Sequence, residues 1–187
     1  MTNGIIIKGR KLSVKAQTLA ALIALVSAVA LPQIFHLMGA VSGLGTSLGE
    51  TFLPMHLPIL AVGLLAGPWA GLAAGALAPL VSFGLTGMPA AAMLPFMMIE
   101  LAVYGLVSGL LAGRRMPTLA KVLAAQVAGR AVRAAAICVS VYIFGKNAVP
   151  VSVIWTSITA GIFGLALQWV LLPLAVYRVE NMQKNGK

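Results

Sequence analysis

The chain has 187 residues, of which 60% are hydrophobic and 9% charged, and a net charge of +10. Soluble domains run near 45–50% apolar and about 25% charged, so this balance excludes a water-soluble globular protein and a disordered tail. The acids are Glu50, Glu100 and Glu180 with no Asp, and Cys138 is the single cysteine, which excludes paired-Asp chemistry, a Ser-His-Asp triad, an internal disulfide and a Cys-only metal site. The composition is that of an all-α integral membrane protein.

The basic residues form three clusters: Lys8, Arg10, Lys11 and Lys15; then Arg114, Arg115 and Lys121; then Arg178, Lys184 and Lys187. Lys146 stands alone. No aromatic residues are interleaved with the clusters, which argues against a nucleic-acid surface. Clusters of this kind mark cytoplasmic segments.

In chain order, the first apolar run covers about 16–31 and ends before Pro32. Basic residues before it and Ala28-Val29-Ala30 imitate a signal peptide, but it is read as the first transmembrane helix with its amino end inside. Residues 32–55 are less apolar, holding Gln33, His36, Ser42, Thr46, Ser47 and Glu50 with four glycines, and are predicted to form a pliable external loop. The glycines precede no Lys, so the segment is not a phosphate-binding loop.

Residues 56–86 admit one span or two. The break at Gly67-Pro68 and the charge clusters decide for two, at about 54–66 and 69–85, because only two spans return Arg114 and Arg115 to the inside. Further helices are predicted over about 89–112, 118–144 and 150–176, with Thr118 as an N-cap and Pro150 near the first position of the last. The expectation is six transmembrane helices in a single membrane domain, with both termini cytoplasmic and no soluble catalytic or nucleotide-binding domain.

Small residues recur at four-residue spacing: Ala16, Ala20, Ala24 and Ala28, then Gly63, Gly67, Gly71 and Gly75, then Gly105, Gly109 and Gly113. Such stripes let backbones approach closely, either within the bundle or against another protein. Glu100 sits within an apolar helix and needs a partner there. It lies twelve residues from Ala112, about 18 Å of helix, and Arg130 lies equally far from Thr118 on the next, antiparallel helix. A Glu100–Arg130 pair is therefore expected, with Arg133 one turn further out and facing a polar cavity. Two arginines against one acid leave a surplus positive charge suited to an anionic or strongly hydrogen-bonding solute.

His36 and His56 flank the external segment, but no HExxH motif or acid cluster completes a metal site, and no cofactor is expected. His56 reads as a hydrogen-bonding group at the mouth of the second helix. Trp155 and Trp169 are placed as interfacial anchors, with Trp155 also a candidate to stack on a planar ligand, and Tyr104 and Gln168 are further cavity candidates.

The strings Gly49-Glu50-Thr51-Phe52-Leu53-Pro54-Met55-His56-Leu57-Pro58, Leu64-Leu65-Ala66-Gly67, Gly87-Met88-Pro89 and Glu100-Leu101-Ala102-Val103-Tyr104-Gly105 carry a resemblance over about residues 12–177. With six short helices and an alanine-striped first helix, the chain resembles the substrate-binding S component of energy-coupling factor (ECF) vitamin transporters. The resemblance implies high-affinity capture of a water-soluble vitamin or related micronutrient from outside, at a site formed by the first external loop and the outer halves of later helices. It implies a multi-pass protein of the prokaryotic plasma membrane, a membrane scaffold protein and two cytoplasmic ATPases as partners, and reorientation in the bilayer to release cargo. Ala16, Ala20 and Ala24 match the usual scaffold contact. The candidate substrate-binding residues are Arg133, Arg130, Glu100, His36, Glu50, His56, Tyr104 and Trp155. Branches with similar strings are assigned pyridoxine-like, pantothenate and cobalamin cargo, and the residues do not choose among them.

The competing function is an ion-coupled transporter or proton antiporter that titrates Glu100, a role that a neighbouring Arg opposes. An intramembrane enzyme is disfavoured, since both histidines read as loop or helix-mouth residues and Asp is absent.

Overall fold

The computed structural model describes residues 12–45, 47–145 and 148–185. Lys8, Arg10, Lys11, Thr46, Lys146 and Lys187 lie outside the described residues, as do the side chains of Glu180 and Lys184. Eight α-helices and no strand occur among the described residues: α1 Val14–Ser42, α2 Ser47–Phe52, α3 His56–Ala66, α4 Pro68–Thr86, α5 Leu94–Ala112, α6 Thr118–Tyr142, α7 Val153–Ala160 and α8 Ile162–Asn185. Taking α2 with α3, six stretches are long and apolar enough to cross a bilayer: Val14–Ser42, Ser47–Ala66, Pro68–Thr86, Leu94–Ala112, Thr118–Tyr142 and Ile162–Val179. The protein is an all-α, multi-pass membrane protein. An even number of spans brings the start of α1 and the end of α8 to the end of the bundle that also carries Arg114 and Arg115.

The first helix departs most from the sequence expectation. It does not stop at Pro32 but continues to Ser42, with Pro32 buried inside it. A proline removes one helical hydrogen bond. Leaving the helix inside hydrocarbon would expose many unsatisfied backbone groups, so a single lost bond is the cheaper outcome. The helix ends at Gly43, whose φ of 76° suits a residue without a Cβ. What remains of the predicted external loop is mostly the short helix α2. It is wedged between α1 and α8: the rings of Phe35 and Phe52 meet at 5.3 Å, and a Cβ added at Gly164 would strike the Phe52 backbone.

The same wedge explains why the last predicted helix is two. The chain turns at Gly161, between α7 and α8, where a Cβ would meet the Leu53 side chain at 2.7 Å. Between α3 and α4 the turn falls at Gly67, with φ 105°, and Pro68 opens α4 at a position where its missing N–H costs nothing. The fifth helix starts at Leu94 rather than near 89, with Pro95 in its first turn.

Glycine contacts hold α5 in the middle of the bundle. A Cβ at Gly71 would strike the Gly105 carbonyl, and a Cβ at Gly105 would strike the Gly71 carbonyl. Gly75 rests on the Leu101 carbonyl, Gly109 on Pro68, and Gly63 on Ser108 and Gly105. These glycines bring α3, α4 and α5 into backbone contact, where dispersion and lipid exclusion replace the hydrophobic drive of water-soluble cores.

Part of the alanine stripe of α1 turns inward, one of the two arrangements that its spacing allows. Ala24 is 6% exposed and Ala28 fully buried, packed with Ala70, Ala74 and Ala78 of α4, and Ala20 packs against the same cluster. Ala16, one turn before Ala20, is half-buried. Small side chains on both helices let α1 lie close to α4. The outward face of α1 carries Leu19, Leu22, Ile23 and Val26, all exposed, as suits contact with lipid.

Gly105→Val is expected to separate α4 from α5 and to cost more than the roughly 1–3 kcal/mol of ordinary overpacking, because backbone rather than a side chain must move. Gly113→Ala, at a glycine with nothing within 4 Å, should leave the protein unchanged. Melting temperature and monodispersity in gel filtration check both. A well-folded Gly105→Val protein would refute the backbone contact.

Candidate functional site

A cavity of about 550 Å³ occupies the end of the bundle opposite Arg114 and Arg115. Its wall is drawn from α1 (Pro32, His36), the α2–α3 region (Gly49, Glu50 and Leu53 to His56), α4 (Ser82), the α4–α5 connection and α5 (Met88, Met93, Met97, Glu100), α6 (Arg130, Arg133) and one face of α7 (Thr156, Ser157, Ala160). Its volume lies within the range of small-molecule sites, about 300–1,000 Å³.

The floor is built by matched spacings on α5 and α6. Glu100 and Tyr104 share one face of α5, and Gly129 and Arg133 share the facing side of α6, since residues four apart stack on a helix. Gly129 has no Cβ because the Tyr104 ring fills that space. Tyr104 donates from its hydroxyl to Glu100 Oε1 at 3.0 Å. Arg133 donates from Nη1 to Glu100 Oε2 at 2.8 Å, a buried ion pair. Both carboxylate oxygens are thereby engaged.

This pairing corrects the expectation of Glu100 with Arg130. Equal depth was the wrong criterion. Side chains tilt toward their own helix's amino end. In antiparallel helices Glu100 leans toward the cavity end and the arginines lean away from it. The residue that meets Glu100 therefore has its Cα nearer the cavity end, as Arg133 does. Arg130, leaning away at the same height, makes no ion pair or hydrogen bond among the described residues.

His56 stands where the second span is interrupted. Leu53 has φ 47°, uncommon for a residue with a side chain, and the helix resumes at His56. The Leu53 carbonyl accepts from the His56 backbone N–H at 3.1 Å and from Gln168 Nε2 at 3.4 Å. Non-helical backbone at membrane depth persists only where protein or a cavity satisfies it. The His56 ring tilts against Tyr104 at 5.4 Å, and its Nδ1 is buried without a partner. The His36 ring packs over Gly49, where a Cβ would lie 2.8 Å from Cε1. Its Nδ1 is also buried and unpartnered.

Six sequence candidates thus line one cavity: Arg133, Arg130, Glu100, His36, Glu50 and His56. Glu50 is exposed, at the mouth. Three candidates do not line it. Tyr104 is fully buried behind Glu100, which it holds. Trp155 is 71% exposed and outside the wall, because its helical neighbours Thr156 and Ser157 occupy the inward face of α7. Gln168 is spent on structure: it accepts from Gln126 Nε2 at 2.8 Å, and Trp169 Nε1 donates to Gln126 Oε1 at 2.7 Å. Sequence reasoning missed Ser82, Thr156, Ser157 and the methionines Met88, Met93 and Met97. A hydroxyl in an apolar helix was the one available signal for Ser82; the methionines are indistinguishable in sequence from core or lipid-facing residues. Among the described residues no group of three His, Cys, Asp or Glu is placed to hold a metal.

Six apolar spans around a polar-floored cavity of solute size define a membrane protein built to take up a small molecule. The family model described as ECF transporter, substrate-specific component, matches residues 13–176. The chain belongs to that family: it is a substrate-specific component serving membrane transport together with an ECF scaffold and ATPase module. No match is found among curated proteins or among solved structures.

Glu100→Gln leaves Arg133 charged and unpaired beneath the cavity, at a cost on the order of 3–5 kcal/mol. The double variant Glu100→Gln/Arg133→Gln removes that charge and should regain a large part of the loss. Thermal denaturation of the purified variants tests this; a double variant no more stable than Glu100→Gln contradicts the pairing.

Proposed function

We propose that this protein captures a water-soluble vitamin or related micronutrient with high affinity at the outer face of a prokaryotic plasma membrane and carries it across as the S component of an ECF transporter. The observation that supports the reading best is the cavity itself, which gathers Glu100, Arg130, Arg133, His36 and His56 under the short helix α2. The wall is furnished for binding rather than conduction, because its charged floor is closed by the Glu100–Arg133 pair.

The cavity faces outward in this reading. Lys15, Arg114, Arg115 and Arg178 all fall at the opposite end, and basic residues accumulate on the cytoplasmic side. Both termini are then cytoplasmic. The motor is supplied by the scaffold and two ATPases. Ala24 and Ala28 are taken up by packing within the bundle, which leaves the partly buried Ala16 and Ala20 as the part of the stripe open to the scaffold. The antiporter reading through Glu100 draws no support from the site: Glu100 is held by Arg133 and Tyr104 together, which leaves no free carboxylate on the cavity floor to shuttle protons.

Isolation of the tagged protein from its native membrane should bring with it a scaffold protein and two ATPases. Accumulation of cargo in vesicles should require ATP hydrolysis by that module. Proton-driven uptake by the isolated chain, lost in Glu100→Gln, would promote the antiporter instead. For orientation, a cysteine at position 43 in a Cys138→Ala background should react with an impermeant reagent from outside, and one at position 115 should not.

A further inference from the structure

We infer that the cargo is a monoanionic carboxylate with an apolar body, and that its carboxylate is received by Arg130 and Arg133 between α6 and α7. The inference rests on the proposed role as a substrate-capturing component and names the chemistry of what is captured.

Charge comes first. The deep wall holds two arginines and one acid, Glu100, and both oxygens of that acid are already engaged by Arg133 and Tyr104. Glu50 is exposed at the mouth and does not reach the floor as a partner. One positive charge therefore remains without a counter-charge inside the membrane-spanning bundle, where a charged side chain is held by a partner or by a polar cavity, and an anionic solute entering this cavity supplies the partner. The surplus is one unit, which a carboxylate balances and a phosphate monoester, near two negative charges, would exceed.

Geometry gives the place. Arg130 and Arg133 are three residues apart and so neighbours on one face of α6. Each has a buried Nε donor with no acceptor, and Arg133 is only 8% exposed. A recess of about 30 Å³ lies against them, lined also by Ala134, Ile154, Ser157 and Ile158. It shares Arg130, Arg133 and Ser157 with the main cavity. One water needs about 10–15 Å³ measured this way, so the recess has room for about two oxygen atoms, the head of a carboxylate. Guanidinium groups match that shape with paired N–H donors.

The rest of the cavity describes the body of the cargo. Met55, Met88, Met93 and Met97 line it, with Pro89 and Ala90 beside them. Methionine walls are apolar, polarisable and conformable. A cation would find no free acid on the floor, and a sugar-like solute would leave the methionine wall unmatched.

The test uses the purified full-length chain in lipid nanodiscs, incubated with an equimolar mixture of water-soluble carboxylic acids, their amides, the corresponding amines and their phosphate monoesters, with chain and ring bodies represented equally. Compounds retained after washing are identified by mass spectrometry. Retention of carboxylic acids over their own amides, at least roughly tenfold as expected for a charge-assisted hydrogen bond, supports the inference. Arg130→Gln should abolish that preference, and Arg130→Lys should keep part of it, with gel filtration confirming that both variants fold. Retention of amines, of amides equally with acids, of phosphate esters above carboxylates, or of no acid at all overturns it, as does an unchanged acid preference in Arg130→Gln. Normal copurification with the scaffold and ATPases alongside a retained amine or neutral compound would overturn the carboxylate assignment while leaving the transport role intact.

Discussion

The reciprocal backbone contact between Gly71 and Gly105 is the constraint on which the rest of the bundle depends. Helices normally stand 8–10 Å apart because side chains hold them there. Where both partners lack a Cβ the backbones touch, and α5 sinks into the groove between α3 and α4. Everything placed on α5 then lies deep. Glu100 and Tyr104 occupy the side left for α6, and Gly129 opens the gap that the Tyr104 ring fills. Close packing for its own sake thus delivers an acid to the centre of the protein, where only a bonded arginine makes it tolerable.

The functional cavity is the space this packing leaves at one end. Helices α3, α4 and α5 converge through glycines near the basic end and part toward the other, where Ser82, Met97 and His56 face open volume. The interrupted second span contributes twice. Its short α2 lies against α1 and α8 and forms part of the cavity wall through Gly49 and Glu50, while the break at Leu53–Met55 lets His56 project from the start of α3. Gln168 secures the break by donating to the Leu53 carbonyl; Gln126 donates to Gln168 and is itself held by the Trp169 indole N–H. A residue read as a possible ligand contact is therefore a support for one.

Pro32 and the alanine stripe show how far a residue's effect depends on what surrounds its helix. The sequence predicts a stop at Pro32, although in hydrocarbon the unsatisfied groups of an ended helix cost more than one missing bond. The alanine spacing admits a partner inside the bundle or in another protein; α4 supplies a matching alanine row for Ala24 and Ala28, while Ala16 and Ala20 are only partly buried. In each case the surroundings, lipid or a neighbouring helix, set the outcome.

Composition and periodicity alone determined the membrane class, the all-helical architecture and the six apolar spans, because these follow from how long an apolar stretch must be and where basic residues collect. The strings around Glu50–Pro58 and Glu100–Gly105 carried the family. The sequence also named most of the cavity's polar residues, since a charged or imidazole side chain in an apolar helix has few other reasons to be there. Only the tertiary structure decided which arginine pairs with Glu100, because that depends on the opposite lean of side chains on antiparallel helices rather than on depth. It alone put Trp155 outside and Tyr104 behind the floor, and recruited Met88, Met93 and Met97 to the wall, because an apolar residue's neighbour is chosen by packing and leaves no mark in the order of residues.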